Sequence, residues 1–577
     1  MQRHSALKWV FVAGAVLLCG ISIFSVALLA HATSPSRVPV NGQVAPLVSH
    51  SRMLGSANSQ QQLQLSIGLK MRNEPQLETL LHDLYTPGSA QFHHFLTPQQ
   101  FAAEFAPTQA QQQQVIDYLR SEGITVNQVA PNGLLIDASA SVATVQNAFQ
   151  VQINFYQSGS RSFYANAAVP TIPATLSSLI LSIGGMDNSV HQRPLTHLNP
   201  STIAQPSHKA QGGNGYGPTE LRGAYDSTPL AQASIQGENQ TVAVFELDGY
   251  NSSDINQYFK NNGLGTPNVS NVLVDGSDGS ANDGAIEVEL DIEVVGAMAP
   301  KAAQIVYEGP NSTQGVNDTY NQIVTDGKAK IMTTSWGECE AQSGTAELQT
   351  LDGIFKQAAA QGMTLFAAAG DSGAYDCNDT NLAVDSPADD PYVAGVGGTN
   401  LQLSGTSYGS ESVWSSPTDT QRSPEGAGGG GGLSTFFAQP SWQMGPGVSN
   451  QYSNGKREVP DISADADPQT GYAVYCTVSA AGCPSSGNIV VGGTSAAAPL
   501  WAGSLALINE YLQKQGKAGA GFINPSLYTL ANTQQPYAPF HDVTQGNNLY
   551  YPATAGYDLA SGLGSPDIYN LARDLAG

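Results

Sequence analysis

The stretch Gly492-Gly493-Thr494-Ser495-Ala496-Ala497-Ala498-Pro499 follows the apolar run Asn488–Val491 and opens a helix-like segment, Leu500–Ile508. Glycines permit a tight, left-handed turn that other residues avoid. Ser495 would then sit exposed where a strand or loop gives way to a helix, with main-chain N–H groups converging beside its hydroxyl. Nucleophilic acyl transfer needs that geometry, an alcohol next to a site for an oxyanion. The octapeptide also reads as an ordinary turn capping a helix, because Thr and Ser are favoured caps. The groups able to deprotonate Ser495 decide between the two.

Histidine is the usual base. Of the ten histidines, all but His541 precede Tyr216, in a part of the chain read below as removable. His541 follows the serine, so an order of Asp, His, Ser is unavailable. The alternative base lies in Asp283–Pro300, DGAIEVELDIEVVGAMAP. Asp283 is a plausible N-cap and Pro300 marks the stop. Glu287 and Asp291 stand four apart and share a helical face. That face continues through Val294 and Met298, which puts two carboxylates on an apolar, core-facing stripe. Two acids held together away from water cannot both ionise easily, so one keeps a raised pKa and can accept and return a proton in acid. A surface acidic helix is the competing reading for this pair. The pair Glu289/Glu293 has the same spacing on another face and reads as a solvated acidic surface.

Together with Ala369-Gly370-Asp371-Ser372-Gly373, Ser335-Trp336-Gly337, Val459–Asp465 and the spaced Gly432, Ser434, Phe437, Pro440 and Trp442, these motifs resemble the sedolisins, the serine-carboxyl peptidases, and the kumamolisin type in particular. The resemblance covers nearly the whole chain after the leader. It implies Ser495 as nucleophile, Glu287 as general base and then acid, and Asp291 as the carboxylate that orients Glu287 and shares its proton. It implies Asp371 as the oxyanion-hole group, a donor only when protonated, and hence activity in acid. Glu246 and Trp336 match residues that extend the hydrogen-bond chain beyond Asp291. Without the resemblance, Trp336 reads as a core aromatic, Glu246 as a strand-end acid and Asp371 as a turn residue.

In chain order, Arg3 and Lys8 precede an uncharged run, Trp9–Ala30, closed by Ala30-His31-Ala32. Residues 1–32 read as a secretory signal, with an uncleaved membrane anchor as the alternative. Residues 33–60 are weakly patterned and expected to be a linker. Residues 61–190 alternate strand and helix signals, as a compact α+β domain with an antiparallel sheet would. This part resembles the sedolisin pro-domain, including Tyr85-Thr86-Pro87-Gly88-Ser89 and His93–Thr97, and is expected to cover the cleft as an intramolecular inhibitor. Residues 191–215 are polar and rich in Pro, Gly, Ser and His, an exposed cleavable linker. Charging of His191, His197 and His208 in acid is expected to loosen the pro-domain from an acidic partner.

Residues 216–577 suit one α/β domain. Buried-strand runs at 241–245, 304–307, 331–334, 364–368, 393–396 and 489–492 alternate with helical stretches, the pattern of a mostly parallel, subtilisin-like sheet flanked by helices. Gly428–Gly432 reads as a flexible loop or, by resemblance, as a strip beside the cleft that pairs with extended substrate.

Cys19 lies in the leader, and the four remaining cysteines suit two disulfides in an exported chain, expected as Cys339–Cys377 and Cys476–Cys483. Near the C-terminus the resemblance implies one structural Ca²⁺ held by Asp542, Asp558 and the carbonyls of Val543, Thr554 and Gly556. Thr554 stands where the family usually has glycine. Hard oxygen donors fit that ion, although spacing alone suggests two Asp-initiated turns. Charged residues make up only 12% of the chain and net charge is −24. Few ion pairs are therefore lost when carboxylates protonate, and the balance excludes a nucleic-acid partner. The expected protein is a monomeric, secreted, acid-active endopeptidase acting on protein or peptide substrates and made as a self-processing zymogen. A tripeptidyl-peptidase is the nearest alternative, and a catalytically dead binding protein a more distant one. A membrane is a partner only if the leader is retained.

Overall fold

The computed structural model describes residues 36–40, 44–189, 191–198 and 215–577. The leader, Cys19 and His208 lie outside the described residues. Among the described residues, no helix is long and apolar enough to cross a membrane.

The C-terminal domain is built on an eight-stranded sheet. Its order runs Val269–Leu273, Ala303–Glu308, Thr241–Glu246, Ile331–Thr334, Thr364–Ala368 and Ala394–Ser404, ending on Ser407–Val413, with Ile462–Asp465 paired beside Ala394–Ser404. Every pairing is parallel except the terminal hairpin. A parallel sheet is covered on both faces, which explains why Val242–Phe245 and Phe366–Ala367 are continuous apolar runs without exposure. The expected strand at 489–492 exists as Asn488–Gly492, but outside this sheet. It joins Tyr472–Tyr475 in an antiparallel ribbon.

Two helices pack against one another over the sheet, Ala285–Met298 (the carboxylate helix) and Thr494–Lys514 (the serine helix). Their approach depends on Gly503, where a Cβ would lie 2.8 Å from Met298 Cβ and 3.1 Å from Val295 O. The carboxylate helix is buried along its whole length. Glu289 and Glu293 therefore do not form the expected solvated face. Glu289 Oε1 accepts from Asn251 N at 3.0 Å and Glu293 Oε2 from Tyr475 N at 2.8 Å. The N-cap is Gly284 rather than Asp283.

The N-terminal domain carries a four-stranded antiparallel sheet, ordered Thr125–Val129, Leu135–Ser141, Gln62–Leu69, Ile180–Gly184. Residues 33–60 are not the free linker expected from sequence. Arg37–Pro39 pairs with Thr171–Pro173, and Arg52–Ser56 adds to Ile153–Ser158. This domain docks on helix Thr345–Ala360 of its neighbour. Leu77, Leu81, Phe101, Phe105 and Leu134 form one apolar cluster with Ala359, Ala360 and Phe522. Around it, Asn132 Nδ2 donates to Asn321 and Gln357, and Lys356 meets Glu78 at 2.9 Å.

Both expected disulfides are present, Cys339–Cys377 and Cys476–Cys483.

Candidate active site

The serine helix begins directly after the Gly492-Gly493 turn, and Gly493 takes φ +98°. Ser495 is the second residue of that helix. Its N–H is one of those at a helix start with no intrahelical acceptor, at the end where the helix dipole favours negative charge. Pro499 lacks an N–H and cannot bond back to the Ser495 carbonyl. That carbonyl instead lies 3.1 Å from Ser335 Oγ.

Ser495 Oγ donates to Glu287 Oε2 at 2.9 Å, and both residues are fully buried. The line of acids runs on from there. Asp291 stands one turn further along the carboxylate helix. Ser335 Oγ sits 2.7 Å from Asp291 Oδ1. Glu246 shares a hydrogen bond with Asp291, and Trp336 Nε1 donates to Glu246 Oε2 at 2.8 Å. Glu287 Oε1, Asp291 Oδ2 and Glu246 Oε1 are buried and take no donor from outside the acid cluster. Such oxygens are satisfied only when protons lie between the carboxyls. Burial, reinforced by the neighbouring acids, pushes Asp291 and Glu246 far above the usual carboxylate range. Burial also raises Glu287, while donation from Thr196 and Ser495 pulls it back.

Asp371 follows strand Thr364–Ala368 and faces the serine turn. Its Oδ1 accepts from Thr494 N at 2.8 Å and lies 3.0 Å from Thr494 Oγ1. Its Oδ2 is buried without a donor. A proton on Asp371 therefore belongs on Oδ2, and burial favours that protonated form. Gly428–Gly432 does not lie free for a substrate at all its positions. Gly428 N donates to Asp371 O and Gly430 N to Gly370 O, and a Cβ at residue 430 would fall 1.9 Å from Ala369 O. These glycines clamp the Asp371 turn by close backbone approach.

The chain's own residues 193–198 occupy the cleft. Arg193–Pro194 pairs antiparallel with Trp336–Gly337, and His197–Leu198 with Val491–Gly492. Thr196 Oγ1 donates to the same Glu287 oxygen that accepts the hydrogen bond from Ser495 Oγ. The start of the expected 191–215 linker is thus held in place rather than exposed. His197 is buried with Nε2 2.7 Å from Asp419 Oδ2. This imidazole therefore faces a carboxylate inside the cleft instead of standing free in a linker.

Sequence reasoning missed Arg422, whose Nη1 donates to Pro194 O at 2.9 Å and Nη2 to Thr196 O. It sits in a polar loop with no periodicity, and its only signal is being one of 22 basic residues in an acidic chain. Thr494 and Ser335 lay inside quoted motifs without a role.

Near the C-terminus, Asp542 and Asp558 are brought to one loop pair. The Asp542 carboxylate accepts from Gly556 N, and Ser561 Oγ bridges Val543 O and Asp558 Oδ1. Asp558 Oδ2 accepts from Thr554 N at 2.8 Å, and its Oδ1 from Ala560 N at 2.9 Å and Ser561 N at 2.8 Å.

The chain matches the pro-kumamolisin activation domain over residues 49–189 and the subtilase family over residues 229–520. This defines a serine-type peptidase on a subtilisin-like fold, preceded by its activation domain. Sedolisin of Pseudomonas sp. (strain 101) is 34% identical over 529 residues, covering 88% of this chain and 86% of the relative. Kumamolisin of Bacillus sp. (strain MN-32) is 34% identical over 494 residues, covering 82% and 85%. A solved structure of Pseudomonas sedolisin, a serine-carboxyl proteinase complexed with two molecules of pseudo-iodotyrostatin, superposes with a TM-score of 0.55 at 32% identity, covering 63% of this chain and 98% of that one. The chain belongs to the sedolisin family.

Proposed function

We propose that the protein is a secreted, acid-active serine-carboxyl endopeptidase that frees itself from its own pro-domain. The observation that carries this reading is the Ser495 hydroxyl donating to a buried glutamate, Glu287, where a histidine would otherwise stand. Ser495 attacks the scissile carbonyl while Glu287 takes its proton. Glu287 then returns the proton to the leaving nitrogen. Asp291 orients Glu287 and holds a neighbouring proton, and Glu246 with Trp336 anchors that line. Asp371 Oδ2–H and the Ser495 N–H receive the oxyanion. A chain that passes through the cleft on both sides of Ser495 favours an endopeptidase over a tripeptidyl-peptidase, which needs a blocked end.

Precursor incubated at falling pH is expected to lose its pro-domain on a gel and then to cut peptides blocked at both ends. Ser495→Ala precursor should stay whole under the same conditions. Processing by the alanine variant, or cutting confined to free N-termini, would overturn the reading.

Asp542, Asp558 and the carbonyls of Val543, Thr554 and Gly556 would hold Ca²⁺, which joins the two C-terminal loops and adds stability without entering the chemistry. Chelation is expected to lower the melting temperature by a few degrees, since a ligand at 100 times its Kd adds about 2.7 kcal/mol. Added Ca²⁺ should restore it in the native protein and not in Asp558→Asn. A melting curve indifferent to both treatments would remove the site.

A further inference from the structure

The segment Arg193–Leu198 carries more than the statement that the cleft is filled. In an extended chain, alternate carbonyls point to opposite sides. Pro194 O and Thr196 O both face Arg422. Leu195 O, between them, turns the other way, towards Gly493. A Cβ on Gly493 would lie 2.1 Å from Leu195 O and 2.7 Å from Asp371 Oδ2. The carbonyl oxygen of Leu195 therefore shares the space beside the serine turn with the one Asp371 oxygen that has no donor. Leu195 N donates to Ser335 O at 3.0 Å, which fixes the register on the other edge. On the far side of the bond, Thr196 Oγ1 reaches Glu287.

This register also fixes the neighbours. Arg193 is antiparallel to Gly337 and places its guanidinium against two buried acids. Nη2 donates to the main-chain carbonyl of Asp376 at 2.6 Å and lies 3.3 Å from both carboxylate oxygens of Asp385. Asp376 Oδ2 is buried without a donor. The wall of this pocket is rigid. Strand Trp336–Cys339 pairs with Arg193–Pro194 on one edge and with Asp385–Ser386 on the other, and Cys339 is bonded to Cys377, next to Asp376. A pair of carboxyl groups sunk this deep costs free energy unless a cation or a proton answers it. Once the linker leaves, the pocket stands ready for another basic side chain.

We propose that Arg193–Leu198 lies as a substrate does, that maturation cuts the Leu195–Thr196 bond, and that Asp385 with Asp376 forms a subsite selecting a cationic side chain three residues from the cut on its N-terminal side. The proposal rests on the serine-carboxyl reading above. In the cut, Ser495 Oγ bonds to the Leu195 carbonyl carbon and its proton passes to Glu287. The bond to Thr196 nitrogen breaks, and that nitrogen takes the proton from Glu287. Water then hydrolyses the Leu195 ester, leaving the Leu195 carboxyl and regenerating Ser495.

The test has two arms on the full-length protein. N-terminal sequencing at the earliest time of acid processing is expected to return Thr196, and Arg193→Gln precursor should process more slowly. Matched peptides blocked at both ends, with Arg, Gln or Leu at the third residue before a Leu–Thr bond, are then compared by kcat/KM on the mature enzyme. Arg is expected to win by about 10-fold or more, the scale of losing one partner of a buried ion pair. The preference should vanish in Asp385→Asn and Asp385→Ala, with circular dichroism confirming that each is folded. A first N-terminus elsewhere, or equal turnover of the three peptides by an active enzyme, overturns the proposal alone. Failure of the wild type to cut any peptide or itself overturns the serine-carboxyl reading, and this proposal with it.

Discussion

Glu287→Gln is expected to leave the precursor uncut at every acidic pH and to lower peptide hydrolysis by about 10³–10⁴-fold. The amide keeps the size of the carboxyl and can still accept from Ser495 through its oxygen. It cannot take the proton, so Ser495 stays a neutral alcohol when it meets the carbonyl. Among the described residues no histidine hydrogen-bonds to Ser495 Oγ, whose partners are Glu287 Oε2 and Ser335 O. The buried His197 is engaged by Asp419 rather than by Ser495, and His541, the one histidine beyond Tyr216, lies on the short strand Phe540–His541, stacked on Tyr408. Folding should not suffer. Burial raises Glu287 above its ordinary value. A group with a raised folded pKa binds protons more tightly when folded. It adds stability below its unfolded pKa, and that contribution is lost as pH rises towards the folded value. Removing the ionisable group therefore leaves stability near neutral pH equal or higher. The check is a pair of measurements on one preparation, a progress curve and a melting curve. Full turnover in Glu287→Gln would end the assignment, whatever its melting temperature.

The sheet was legible because a parallel strand covered on both faces must be an unbroken apolar run, and 241–246, 331–334 and 364–368 are such runs. The spacing of Glu287 and Asp291 was legible for the same local reason, four residues to a shared helical face. What failed depended on partners remote in sequence. Glu289 and Glu293 look solvated on a helical wheel, yet helix Ser252–Asn262 and strand Tyr472–Tyr475 pack over that side, and their backbone neighbourhood supplies the donors. Asn488–Gly492 has the texture of a central strand, but periodicity does not say which strand it joins. Arg37–Pro39 and Arg52–Ser56 are too short and too exposed to leave a pattern. Arg422 and Thr196 matter only because the 193–198 segment lies in the cleft, a fact of tertiary structure that no local stretch encodes. The acid line itself was legible mainly through resemblance. From their own residues Glu287 and Asp291 also read as a surface acidic helix, Glu246 as a strand-end acid and Trp336 as a core aromatic.

Asp371 separates two effects that a single loss of activity would merge. Asp371→Ala removes one of the oxyanion donors and is expected to lower kcat by about 10²–10³-fold. Asp371→Asn should behave differently. Asparagine Oδ1 can accept from Thr494 N as the aspartate does, and its amide nitrogen stands where Oδ2 now lies without a donor. That nitrogen donates at every pH. The aspartate donates only while protonated, and burial raises its pKa so that the proton persists above the ordinary range of a free aspartate. As pH climbs through the folded value the carboxyl ionises, the donor disappears, and a negative charge faces the developing oxyanion. Activity should therefore fall on the alkaline side in the native enzyme and fall less steeply, or at higher pH, in Asp371→Asn. Thr494 ties the two halves of the device, because its N–H fixes which aspartate oxygen carries the proton. The readout is kcat against pH for the three proteins. An alanine variant at full rate would remove Asp371 from the oxyanion site. An asparagine variant with an unmoved alkaline limb would keep it there, but assign the acid requirement to Glu287, Asp291 and Glu246 instead.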